Sequence, residues 1–229
     1  MSGINEASKK KKMEGQPDEP AKKPRKPSKE KQAKLDYALC VAAIEGDDCA
    51  VEELLLAGAN PDAGNRHALN LSAKMGKTSS VKRLLAASKV EAGSPEALTW
   101  AAIEGRADCL ALLCAKKYES KHLEIGLQGA ALAGHRACVL ELVERVESHE
   151  AKLVAVGVAA GSGRAEIVAI FLGVGVGSDE SSLVELMERA EAGGHDATIE
   201  VIRSFVDGIE LSKTVAHAAA TSDKNTPRL

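Results

Sequence analysis

The sequence predicts an all-α protein: about six short helix pairs stacked into a solenoid, behind a disordered basic tail. Three observations carry that expectation. A phrase recurs every 29–31 residues, aromatic side chains make up only 2% of the chain, and the charge divides sharply near residue 35. Apolar residues reach 45%, enough for a core, but they are mostly small or aliphatic. Alanine and leucine are strong helix formers, and alanine lets helix backbones approach closely. Strands favour aromatic and β-branched residues, so a β-sandwich is a poor fit.

The recurrence is the strongest signal. Ala42-Ala43-Ile44-Glu45-Gly46 is followed by Ser72-Ala73-Lys74-Met75-Gly76, Ala101-Ala102-Ile103-Glu104-Gly105, Ala130-Ala131-Leu132-Ala133-Gly134 and Ala159-Ala160-Gly161-Ser162-Gly163, with a weaker echo ending at Gly194. These glycines are 30, 29, 29, 29 and 31 residues apart. Seven before each lies Leu39, Leu69, Leu98, Leu127, Val156 or Met187. Five after comes Val51, Val81, Leu110, Val139, Val168 or Ile199, and eight after comes Leu54, Leu84, Leu113, Leu142, Phe171 or Ile202. Such spacing is the apolar stripe of an amphipathic helix. Each glycine then sits in the turn between two helices, where a positive φ is needed. One such pair cannot bury its apolar face alone, so neighbours must stack.

These phrases resemble the ankyrin repeat, in which Ala-Ala-x-x-Gly is followed by a Val-x-x-Leu stripe. Leu55-Leu56-Ala57-Gly58-Ala59-Asn60-Pro61-Asp62-Ala63 resembles its inter-repeat turn, and Gly134-His135 and Gly194-His195 match the Gly-His that often opens its second helix. The resemblance spans roughly residues 36–220. Two departures accompany it. The units are shorter than the family period of about 33 residues, and the Thr-Pro-Leu-His opening is replaced by His67-Ala68-Leu69-Asn70 and Glu96-Ala97-Leu98-Thr99. Truncated hairpin fingers and a more helix-only solenoid are expected. The domain layout is therefore a tail over 1–34, a solenoid over 35–220 and a polar tail over 221–229. Leu211–Ala220 reads as one further first helix, a C-terminal cap.

Residues 1–34 carry a charge of +6, and the rest of the chain −9. Four of the seven prolines (Pro17, Pro20, Pro24, Pro27) lie in the tail among lysines, a composition that cannot bury enough surface to order itself. Lys9, Lys10, Lys11 and Lys12 are separated by nine residues from Lys22, Lys23, Arg25 and Lys26. That arrangement resembles a two-part nuclear import signal; a solubilising tail, or weak binding to nucleic acid, is the alternative. No run is long and apolar enough for a membrane span, and no Sec signal opens the chain. Five cysteines without paired spacing read as reduced thiols. A cytoplasmic or nuclear location is expected, with delivery into a host cell as the alternative.

No catalytic, cofactor or metal site is expected. Cys109 and Cys138 both fall four after a turn glycine, where a small buried residue belongs. The run Phe171–Ser178 is glycine-rich but follows a helix and lacks the lysine of a phosphate loop. The six histidines form no metal or triad motif. The expected function is a monomeric module that holds a partner protein on the concave face of the stack. Six before each glycine, that face offers Asn70, Thr99 and Gln128, and near the turns and loop tips Arg66, Lys74 and Glu104. The acidic body favours basic partner segments. Trp100, five before Gly105, aligns with apolar positions and is expected in the core, with an interface anchor as the alternative. The other functional readings are an effector that engages host proteins with the same fold, and a nucleic-acid-associated protein acting through its tail.

Overall fold

A computed structural model describes residues 28–222, with side chains through Ile209. Among the described residues, twelve helices fall into six pairs: α1 (Lys29–Glu45) with α2 (Asp48–Leu56), α3 (Ala63–Lys74) with α4 (Thr78–Ala87), α5 (Pro95–Ile103) with α6 (Ala107–Leu113), α7 (Ser120–Ala133) with α8 (Arg136–Val143), α9 (His149–Gly161) with α10 (Ala165–Gly173), and α11 (Glu180–Ala192) with α12 (Asp196–Ser222). The first helices form one row and the second helices another, each helix packing on its counterpart in the next pair. Among the described residues the only β pairing is an isolated bridge between Ala92 and Lys117. Hairpin fingers are thus absent there, as the short units predict.

All six turn glycines adopt a left-handed backbone, with φ from 68° at Gly194 to 85° at Gly134. In every pair the N–H of the next residue reaches back to the carbonyl four before the glycine, as in Arg106 to Ala101 at 2.8 Å and His135 to Ala130 at 3.0 Å. This closes the first helix with a Schellman-type cap. The same glycines are needed for a second reason. The residue after each glycine lays its side chain across the glycine of the preceding pair, so that a Cβ on Gly76 would lie 2.8 Å from Arg106 Cδ and one on Gly134 2.8 Å from Arg164 Cδ. Arg106 Nε then donates to the Lys74 carbonyl at 3.2 Å, and Arg164 Nε to the Leu132 carbonyl at 3.0 Å. His195 Nε2 lies 3.1 Å from the Gly161 carbonyl, which can only accept, so that nitrogen carries the proton. Arg106, Arg164 and His195 thus each satisfy an end carbonyl of the neighbouring first helix.

The core is one continuous seam. Leu39, Leu69, Leu98, Leu127 and Val156 are all buried, as are Val51, Val81, Leu110, Val139 and Val168. The alanine pairs Ala101-Ala102, Ala130-Ala131 and Ala159-Ala160 are sealed between first helices. Their size lets that row pack more tightly than the row of second helices, α5 on α7 and α7 on α9 most closely.

Three expectations are corrected. The boundary at residue 35 falls inside α1, which starts at Lys29 because Ser28 caps it, accepting from the Lys31 N–H at 3.3 Å. Gln32 adds a tether, its side chain donating to Asp36 at 2.7 Å and to the Gly58 carbonyl at 3.0 Å. At the other end no separate capping helix starts at Leu211. α12 runs unbroken through Ser222, past both Gly208 and the start of the expected polar tail at 221, because no left-handed turn interrupts it. Finally, Trp100 is not in the core but 40% exposed. The tail residues 1–27 lie outside the described residues.

Candidate functional site

On each first helix, positions nine, five and two before the turn glycine fall on one face by the four-plus-three spacing of a helix. That face is turned away from the second helices. In the third to fifth pairs it carries Trp100 and Ile103 on α5, Ile125 and Leu132 on α7, and Val154 on α9, all exposed. Ile103 lies over Gly129, where a Cβ would come within 2.8 Å of its Cγ1. The small residue on α7 therefore seats a large one from α5, and the surface between them is continuous. At the same register the sixth pair has Glu185 and Arg189, which pair with each other, so the apolar stripe ends there.

The expected site residues fall around this stripe. Lys74 places Nζ 4.1 Å from the Trp100 ring centroid, a cation–π contact that holds the indole flat against the row. Thr99, Glu104 and Gln128 are half-buried beside it. Arg66 and Asn70 are engaged within the chain. Arg66 lies 3.6 Å from Asp62 and donates to the Ala92 carbonyl at 2.7 Å. Asn70 donates to the Asn65 carbonyl at 3.2 Å and accepts from Ser94 Oγ at 2.6 Å. Gly64, Asn65 and Arg66 are consecutively left-handed, with φ of 56°, 56° and 60°. That conformation costs a non-glycine residue about 1–2 kcal/mol, and the bonds of Arg66 and Asn70 to the next loop hold it in place. These two side chains fix the loop edge of the site.

Trp100 was legible through a different comparison. Its register position holds Val41, Leu71, Trp100, Gly129, Val158 and Arg189 in successive pairs. A packed core position does not tolerate a range from glycine to tryptophan and arginine. Such a range marks a solvent-facing position.

Cys109 and Cys138 are buried, as their register predicts, while Cys49 is exposed. Cys109 Sγ lies 3.5 Å from Thr78 Oγ1, and Cys138 donates to the Ala101 carbonyl at 3.9 Å. Burial pushes the Cys114 and Cys138 thiols up to about 11 and raises that of Cys109. These thiols stay protonated, the wrong state for a nucleophile or metal ligand. Among the described residues no three His, Cys, Asp or Glu converge on a point that could hold a metal. Nor, among those residues, is any helix long and apolar enough to cross a membrane.

Stacked helix pairs joined by left-handed glycine turns define an α-solenoid repeat protein. More particularly, its first repeats are similar to ankyrin repeats. Residues 39–124 match the family model for ankyrin repeats in three copies. Among solved structures, the ankyrin repeat domain of human ASB11 is similar with a TM-score of 0.60 at 24% identity, over 73% of this chain and 82% of that one. No curated protein sequence matches. Ankyrin repeats generally mediate protein–protein interaction, and theirs is typically a non-catalytic fold.

Proposed function

We propose that the chain is an adaptor that holds a partner protein on the inner face of its third to fifth repeats, with Trp100 as anchor. The supporting observation is the exposed apolar stripe of Trp100, Ile103, Ile125, Leu132 and Val154 on the tightly packed helix row. Contiguous exposed apolar surface of this kind marks interaction sites, and tryptophan is enriched among residues that carry binding energy. Lys74, Thr99, Glu104 and Gln128 supply the polar border, while Arg66 and Asn70 position its loop edge. Glu96, Glu104 and Glu124 beside the stripe suit a partner segment with basic residues next to its apolar anchors.

Affinity capture from lysate with the full chain, read by mass spectrometry beside a Trp100→Ala/Leu132→Asp double variant, tests this. Partners retained by the wild type should be lost from the variant. For a partner so identified, Trp100→Ala alone should weaken binding by about 2 kcal/mol or more, some thirtyfold. Undiminished capture by the folded double variant overturns the reading. The basic clusters Lys9–Lys12 and Lys22–Lys26, outside the described residues, support a second role in nuclear import through an import receptor. Replacing both with alanine should then move a fluorescent fusion from the nucleus to the cytoplasm.

A further inference from the structure

In each of the first five repeats, the face turned toward the C-terminus is covered by the next helix pair. Among the described residues no pair follows the sixth, and a groove of about 540 Å³ lies between α11 and α12. The floor is apolar: Leu183, Val184 and Met187 come from α11, and Ile202, Val206 and Ile209 from α12. Val184 is 54% exposed. Glu180, Glu188 and Glu191 also line the groove, so the apolar floor has an acidic margin.

We propose that this groove is a second docking surface, separate from the Trp100 stripe, and that it takes an amphipathic helix of a partner protein whose apolar stripe is flanked by lysine or arginine. Two facts select a helix. The groove lies between two helices, and the equivalent face of every preceding pair is filled by helices. Three carboxylates select the charge, since opposite potentials across an interface favour binding and like ones oppose it.

Other occupants fit less well. A second copy docked through the same face would bring Glu180, Glu188 and Glu191 against their own counterparts. Residues 1–27 have the basic charge but not the stripe: their apolar residues are sparse, and Pro17, Pro20, Pro24 and Pro27 fall among them. Residues 223–229 offer Leu229 as their single large apolar side chain.

The test is fluorescence anisotropy of the full chain with a labelled synthetic helix of roughly 15 residues, leucine at positions i, i+3, i+4 and i+7 and lysine elsewhere. It should bind saturably in physiological salt, about tenfold or more tighter than a scrambled peptide of the same composition or a leucine–glutamate counterpart. Val184→Asp, at an exposed position, should weaken binding about tenfold with the circular dichroism unchanged. Glu188→Lys/Glu191→Lys should weaken it too, while Trp100→Ala leaves it intact. Binding undiminished by Val184→Asp, or no preference over the control peptides, overturns the proposal. So does a concentration-dependent dimer of the wild type, in sedimentation, that Val184→Asp abolishes.

Discussion

The fourth repeat and the sixth follow the same sequence plan but sit in different surroundings. In the fourth, α7 and α8 are covered on both sides and bury Leu127, Ala130, Ala131, Cys138, Val139, Leu142 and Val143. In the sixth, α11 buries only Leu186 and Ala190, while Met187 and Ile199 are partly open. Gly134 lies under Arg164 of the following repeat, whereas nothing lies within 4 Å of where a Cβ on Gly194 would be. A repeat's stability therefore resides as much in its neighbours as in its own residues, as expected of a one-dimensional stack.

The largest test of that contrast is Leu127→Ala against Met187→Ala. Leu127 is fully buried, so its loss should cost about 2–5 kcal/mol. The partly open Met187 should cost about 1 kcal/mol, because its surroundings are already in contact with water. Urea denaturation distinguishes the two. Fluorescence of Trp100, the single tryptophan, reports the third repeat, while circular dichroism reports all six. In the Met187 variant, ellipticity should begin to fall before the fluorescence changes.

Next comes Gly134→Ala against Gly194→Ala. Both place a Cβ at positive φ, a strain of about 1 kcal/mol. Only at Gly134 must the Arg164 side chain also move from its bond to the Leu132 carbonyl, adding about 1 kcal/mol. Melting temperatures should fall more for Gly134→Ala. Equal losses would mean that the staple contributes nothing.

The smallest effect is on pH dependence. The buried thiols Cys109, Cys114 and Cys138 all lie in the third and fourth repeats, and the fifth and sixth contain no cysteine. Their folded-state values lie above the ordinary 9.0, with Cys114 and Cys138 near 11. The unfolded chain therefore loses these protons first. The stabilisation is complete below about pH 9 and is lost as pH rises toward 11. Tyr118, also raised by burial, adds to the loss at higher pH. Urea midpoints read by Trp100 should fall over this range, and a Cys114→Ala/Cys138→Ala variant should show a shallower decline.

What the sequence disclosed followed its periodicity. The turn glycines, the leucines seven before them and the valines five after all stand where a 29–31-residue period puts them, because each is fixed by contacts repeated in every unit. What it concealed lies where the repetition stops. The start of α1 depends on Ser28 and Gln32; Ser28 lies further from its turn glycine than Ser94 and Ser148, which cap α5 and α9, do from theirs. The continuation of α12 depends on the absence of a turn, which no motif announces. Trp100 is exposed despite its apolar character, and only Gly129 and Arg189 at the same register indicate solvent there. Asn65 and Arg66 adopt a left-handed backbone that only their bonds to later residues explain.

The staples also impose a direction in time. In each one the donor side chain follows its acceptor carbonyl by about one repeat: Arg106 after Lys74, Arg164 after Leu132, His195 after Gly161. On a ribosome, a newly completed repeat therefore exposes only a carbonyl, which water satisfies, until the next repeat emerges carrying the donor. The stack can lengthen one unit at a time from its N-terminus, and no staple donor waits for a partner yet to be synthesised.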